Sequence, residues 1–330
     1  MDFSLSDEQE QMVRAVSRWG QQSWAQGDVD AVDVRRSRWA ELEANGWTGL
    51  LSPAAMLVLD AALMIEQLAH DGCTLPVGAG AMVAPMVRAA AGLDSGSGID
   101  QLVVVDDSDH AGTSRGLELA DRIIVLAGTP DTDQRRWSAA SLPANTGSTV
   151  VVQDEGRTVL SRLASPLDHG ALRPIDPGVG ELAWLAGAVL SAAELVGLAQ
   201  SVLDSCVTYA KVRVQGGKPI GGHQAVQHRL ADMLGNIERA RYLTYLAAAT
   251  IRDAAPAWSA QQILPAVHQA KALAARDCLA TIRSGHQVMG AIAYSAEHEL
   301  HHFHKQAVVA AHEFGDAGWH WAALGRAAPG

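Results

Sequence analysis

Apolar residues recur at helical spacing along both ends of the chain and collect into short β-branched runs between them. Met12, Val13, Val16 and Trp19 mark one face of a first helix, which Ser6 and Gln9 can open as a reciprocal cap. Trp39 and Leu42 belong to a second, stopped by Asn45-Gly46. A third is expected over 54–71, with Leu59, Leu63 and Leu68 inward. Another is expected over 79–91, after the break at Leu75-Pro76. Residues 1–95 therefore predict an N-terminal helical bundle.

The pattern then changes. A small polar linker, Gly92 to Gly98, precedes the runs Leu102–Val105, Ile123–Val125 and Thr149–Val152, set apart by Gly, Pro, Asp and Thr clusters. Residues 96–178 read as a reduced β-domain. Helix returns from Glu181 to Val212, nearly all apolar, and then in a second segment where Val226, Leu230, Met233, Ile237 and Ala240 form a bundle seam. Pro265 is expected to begin a helix that runs to Ser284, and Ser295 to cap one over 296–312. Residues 179–330 thus predict a C-terminal four-helix bundle, and the class is mainly α with a small central β-domain.

Bulk chemistry narrows the function. Of 330 residues, 48% are hydrophobic and only 18% charged, so partner subunits are expected to cover part of the surface. A formal charge of −11 argues against nucleic acid or an anionic membrane as partner. Cys73, Cys206 and Cys278 are odd in number and far apart, which suits a reducing cytoplasm. The acidic start Met-Asp-Phe-Ser has no signal-peptide character, and the run Leu182–Leu198, broken by Glu194, reads as a core helix rather than a membrane span.

One stretch gathers candidate ligand chemistry: Lys211-Val-Arg213-Val-Gln-Gly216-Gly217-Lys-Pro219-Ile-Gly221-Gly222-His-Gln224. Arg213 offers a donor fork suited to phosphate oxygens. The glycines allow close backbone approach, and Gln224 opens a helix whose first N–H groups point outward. This stretch resembles the Arg-x-x-Phe-Gly-x-x-(Ile/Leu)-x-x-x-Gln segment of the acyl-CoA dehydrogenase family. Trp47-Thr-Gly-Leu50 before Pro53, Ala120-Asp121-Arg-Ile-Ile-Val125 and Gln287-Val-Met-Gly290-Ala-Ile-Ala-Tyr294 resemble further family segments in the same order.

The resemblance implies the bundle–β-domain–bundle architecture and FAD-dependent α,β-dehydrogenation of an acyl-CoA thioester. It implies that Arg213, Gln224, Gln287 and Gly290 hold the pyrophosphate and adenine end of FAD across a subunit interface. Departures accompany it. The family's Phe is Gly216, and two glycines of the later turn are Ala291 and Ala293. No counterpart of the flavin-cradling loop, (Thr/Ser)-Glu-Pro-Gly-x-Gly-Ser, lies between 95 and 178.

The family's base is a carboxylate whose pKa rises by desolvation. Counting from the matched segments puts Phe314 at one family position for it and Gly187 at the other, neither acidic. Glu313, one residue off, is the candidate base within this chain; Asp316 lies just beyond it, and Glu194 is two turns from Gly187. His298-Glu299-Leu-His-His302 also matches H-E-x-x-H, which on a helix could place two imidazoles on one metal. A third ligand of the required kind is not evident, so a solvated or interface face is expected and no metal.

The expected function is the shorter subunit of a heteromeric acyl-CoA dehydrogenase, resembling the α2β2 enzymes of actinobacterial steroid side-chain catabolism. A second dehydrogenase-like subunit, in a heterodimer or heterotetramer, would supply the flavin loop and the base. A self-sufficient homodimer using Glu313 and a non-catalytic scaffold are the competing expectations.

Overall fold

The computed structural model describes residues 5–24, 31–52, 55–94, 97–105, 113–128, 136–144, 149–154, 159–164, 167–254, 260–295 and 298–327. The chain divides into two compact units. One comprises Met1–Ala25, Ala62–Cys73 and Ala188–Gly330; the other comprises Gln26–Ala61 and Thr74–Gly187.

The second unit holds α2 (Val32–Ala44), the short hairpin β1 (Leu51–Ser52) and β2 (Ala55–Met56), and two sheets. In one sheet β3 (Asp100–Val105) pairs in parallel with β5 (Arg122–Ala127). Antiparallel β6 (Trp137–Pro143) and β9 (Arg173–Ile175) complete it in the order β3-β5-β6-β9. The other has the order β4-β8-β7, built from β4 (Ser114–Arg115), β7 (Thr149–Asp154) and β8 (Val159–Leu163). Val103, Ile123 and Val125 of the first sheet join Leu117 and Leu163 in one buried core. The β-branched runs become strands as their composition predicts. Trp137–Pro143 lacks that composition and is a strand because β5 pairs with Ser138–Pro143 and β9 with its start, a tertiary choice that local propensity does not reveal.

Two expected helices are reshaped. The one expected over 54–71 is α3, Val58–His70, because the preceding residues pair as the β1–β2 hairpin; Pro53 and Ala54 lie outside the described residues. The one expected over 79–91 is a π-helix, Val77–Val83, followed by α4 (Ala84–Ala90). Pro85 sits in the first turn of α4 and has no N–H to return to Ala81. The freed Ala81 carbonyl accepts from Gly49 N–H at 2.8 Å instead.

The first unit is helical: α1 (Asp7–Trp24), the Ala62–His70 part of α3, α5 (Pro177–Val212) from Ala188 onward, α6 (Gln224–Ala254), α7 (Ala260–Met289), α8 (Leu300–His312) and α9 (Ala317–Ala327). Ser6 and Gln9 open α1 as the expected reciprocal cap, at 3.1 and 3.2 Å. Leu195, Val202, Ile237, Ala274, Ile282 and Ala310 place α5, α6, α7 and α8 around one core, the predicted four-helix bundle. Small residues set the spacing. A Cβ on Gly197 of α5 would stand 2.1 Å from the Glu66 carbonyl of α3. One on Gly285 of α7 would stand 2.5 Å from Val202 Cγ1. Gly285 is thus a packing notch and not a helix stop, which is why α7 continues past Ser284 to Met289. The helix also begins before Pro265, which it accommodates near its N-terminus at the loss of one hydrogen bond. α5 is long and apolar enough to cross a membrane, but 94% of its most apolar window is buried inside the protein, as a core helix requires.

Candidate functional site

At Arg213, α5 turns into a stiff hairpin. Arg213 N–H still donates to Tyr209 O at 2.9 Å, and Arg213 O accepts from Ile220 N–H at 2.8 Å. Between them β10 (Val214–Gln215) pairs with β11 (Lys218–Pro219) across Gly216 and Gly217, whose φ values are +61° and +80°. Two successive left-handed residues make the tight hairpin turn for which glycine is preferred. The family's phenylalanine is therefore replaced by glycine for a backbone reason. Lys218 Nζ on Gly222 O (2.8 Å) and Gln227 Nε2 on Gly221 O (2.9 Å) tie the hairpin to the start of α6.

Arg213, Gln224 and Gln287 lie at one end of the bundle. Gln224 is the first residue of α6 and Gln287 lies in the last turn of α7. α6 and α7 pack along each other and only five residues join them, so they run antiparallel and bring these two ends together. Cys206 Sγ, two turns before Arg213, sits 3.8 Å from Gly285 O, two residues before Gln287. All three side chains are exposed and make no hydrogen bond or ion pair among the described residues. Gly290 follows at φ +67°, with open space where a Cβ would stand. A free guanidinium, two free amides, an open glycine and a helix N-terminus fit the phosphate and adenine half of a dinucleotide.

The loop after α8 is built differently. Glu313 is the C-cap of α8 and half-buried. Phe314 is 8% exposed with φ +54°, and Gly315 has φ +92°. Buried side chains pin the carbonyls of this turn. Lys271, fully buried on α7, donates to Ala310 O at 2.7 Å and Ala311 O at 3.1 Å. Ser191 Oγ donates to Ala310 O at 2.6 Å. His320 Nε2 donates to Phe314 O at 3.0 Å, while its Nδ1 lies 2.8 Å from Nδ1 of His268. Burial, reinforced by the Lys271 charge, pushes His320 down to about 3, so the ring is neutral. With its proton on Nε2, its bare Nδ1 accepts from His268. Sequence reading missed all four residues. Lys271 had a signal: a lysine at an inward position, in register with Val267, Ala274 and Cys278.

The H-E-x-x-H match does not form a helical pair. His298 and Glu299 precede α8, which starts at Leu300 with Glu299 as N-cap rather than Ser295; Ala296 and Glu297 lie outside the described residues. His298 Nδ1 accepts from Leu300 N–H at 3.1 Å, and His301 Nδ1 donates to His298 O at 2.6 Å, so both rings serve the helix start. His304 and His286 meet at 3.1 Å, each pushed down first by burial. Among the described residues no group of three His, Cys, Asp or Glu could hold a metal ion.

Two other carboxylates, buried Glu194 and half-buried Glu66, are already engaged. Glu194 accepts from Gln306 Nε2 at 2.8 Å. Glu66, raised by burial against the opposing pull of Arg241, takes Arg241 Nε at 2.8 Å on one oxygen and Tyr245 OH at 2.8 Å on the other. It lines a cavity of about 210 Å³ with Leu63, His70, Gln200 and Arg241.

Comparison with known proteins identifies the family and the fold. The family model "Acyl-CoA dehydrogenase, C-terminal domain" matches residues 185–328. Acyl-CoA dehydrogenase IpdE2 of Mycobacterium tuberculosis is 34% identical over 267 residues, 80% of this chain and 74% of that protein. Among solved structures, butyryl-CoA dehydrogenase from Megasphaera elsdenii superposes with a TM-score of 0.75 at 19% identity, over 99% of both chains. A variant of the Tcur3481-Tcur3483 steroid ACAD gives 0.75 at 20% identity, over 97% of this chain and 98% of that one. The chain belongs to the acyl-CoA dehydrogenase family. FAD is the cofactor that membership implies.

Proposed function

We propose that this chain is one subunit of a two-chain acyl-CoA dehydrogenase, contributing the phosphate and adenine half of a shared FAD site. The observation that carries the reading is Phe314. It occupies the place where the family's base is expected, yet it is apolar, buried and held in a left-handed turn. An apolar side chain cannot take a proton from a substrate α-carbon. At the other end of the bundle Arg213, Gln224, Gln287 and the Gly290 backbone keep their ligand capacity.

When bound, FAD supplies the hydride acceptor for α,β-dehydrogenation of the acyl-CoA thioester. Arg213 neutralises pyrophosphate, Gln224 and Gln287 fix the adenine half, and the Gly216–Gly217 turn holds Arg213 in place. The partner supplies the flavin-cradling loop and the base. The name of one structural neighbour, a steroid ACAD, supports a bulky steroid side-chain thioester. Three buried cysteines that form no disulfide support a reducing, cytoplasmic setting.

Co-expression with a neighbouring dehydrogenase-like gene product tests the division of labour. In the purified complex, Glu313→Gln should retain both flavin and turnover. Loss of turnover with flavin retained would instead assign the base to Glu313 and make this chain self-sufficient.

A further inference from the structure

The exposed positions of α7 are Pro265, Gln269, Arg276, Ala280, Arg283 and Gln287, among residues whose side chains are described. Their spacing of three, four or seven residues makes them one stripe ending at the cofactor half-site. The stripe contains no acid. Asp277, the acid of α7, is buried and engaged twice, by Arg239 at 2.6 and 2.8 Å and by Arg276 at 2.7 Å. Two guanidiniums on one carboxylate leave a net positive charge, and Arg283 adds another with no ion pair among the described residues. The flanking face of α6 brings His228 and Arg229 against Asp232. This basic strip stands on a chain whose formal charge is −11.

Large apolar side chains are exposed on the same elements. Tyr294 and Val212, next to the cofactor half-site in sequence, are each 71% exposed, Val214 and Ile292 are exposed in the same two turns, and Tyr242, one turn beyond Arg239, is exposed on α6. Exposed aromatic and aliphatic groups bordered by arginine are the composition of an interface core with its rim.

We propose that this α6–α7 face is a pairing surface whose arginines select a different chain over a second copy. The inference rests on the two-chain reading and names its partner: an acyl-CoA dehydrogenase-like chain with acidic residues opposite Arg276 and Arg283. Two copies related by a two-fold axis present the same patch to each other, so the strip meets itself and repels. A partner with carboxylates there removes the repulsion, and the apolar groups then drive association.

Sedimentation velocity on this chain tests the charge logic without the partner. Wild type and R276E/R283E are run separately and as an equimolar mixture. The mixture should associate at least about tenfold more tightly than either component alone, and added salt should narrow the gap. Should R276E/R283E fail to fold by circular dichroism, R276S/R283S replaces it and should self-associate more tightly than wild type. The proposal is overturned if wild type pairs with itself as tightly as the mixture does, or if the serine variant pairs no better than wild type. These results are independent of flavin binding, so the strip can fail while the two-chain reading stands, and the reverse.

Discussion

The ammonium of Lys271 donates to the carbonyl of Ala310 at 2.7 Å from a fully buried position, and shares that oxygen with the Ser191 hydroxyl. A helix end buried in a core leaves carbonyls that water cannot reach, and these two side chains satisfy them. K271M keeps most of the volume but leaves Ala311 O without its lysine, so a loss of about 1–3 kcal/mol is expected. S191A should cost about 1 kcal/mol. The double variant should lose more than the sum, because Ala310 O then has neither donor. Urea unfolding of the four proteins gives the coupling; strict additivity would contradict shared capping.

His320 makes stability depend on pH with a defined sign. It is neutral and buried in the fold, lowered to about 3, whereas in the unfolded chain it titrates at its ordinary value of 6.5. Between those values the unfolded state holds the extra proton, so stability is full above the upper value and falls as pH drops toward the lower. His286 and His304 are lowered too and act in the same direction. In H320Q the slope of unfolding free energy against pH in this window should shrink by about 1.4 kcal/mol per pH unit, one proton's worth. An unchanged slope would mean His320 is not held neutral.

Helix spacing predicts opposite outcomes for two glycine-to-alanine changes. In G197A the new Cβ meets the Glu66 backbone carbonyl, which cannot swing aside. Overpacking of that kind costs about 1–3 kcal/mol. In G235A, on exposed α6, nothing lies within 4 Å, and the fold should gain about 0.5–1 kcal/mol from better helix propensity. Thermal unfolding of the pair distinguishes close packing from general glycine sensitivity.

Arg213 should separate binding from folding. Its guanidinium is exposed and makes no bond among the described residues, so R213A should change unfolding free energy by no more than about 0.5 kcal/mol. In the two-chain complex the same variant should sharply lower flavin occupancy. Normal flavin content in R213A would remove Arg213 from the site.

The sequence made the helical parts most legible, because their apolar faces recur regularly and are read locally. Ser6 and Gln9 are an example, a cap visible in four residues. Less legible was whatever depends on a distant partner. Trp137–Pro143 is a strand because β5 lies beside it, the π-turn at Val77 follows from Pro85 together with Gly49, and Gly285 is a notch for Val202. The candidate site divides in the same way. Arg213 and Gln224 sit close together in sequence and announce themselves. The carbonyl clamp of Ser191, Lys271, His268 and His320 joins four segments of chain and gives no sequence motif. The H-E-x-x-H string shows the converse: a motif match fails when the helix that should carry it starts at Leu300, past its first two residues.

A chain that holds half of a flavin site should bind flavin only beside its partner. The visible absorption spectrum of the purified protein tests it most directly, taken alone and after co-expression with a neighbouring dehydrogenase-like chain. The lone chain should show no flavin bands, and the complex should show bound flavin. Stoichiometric flavin on the lone chain would contradict this and make the site complete.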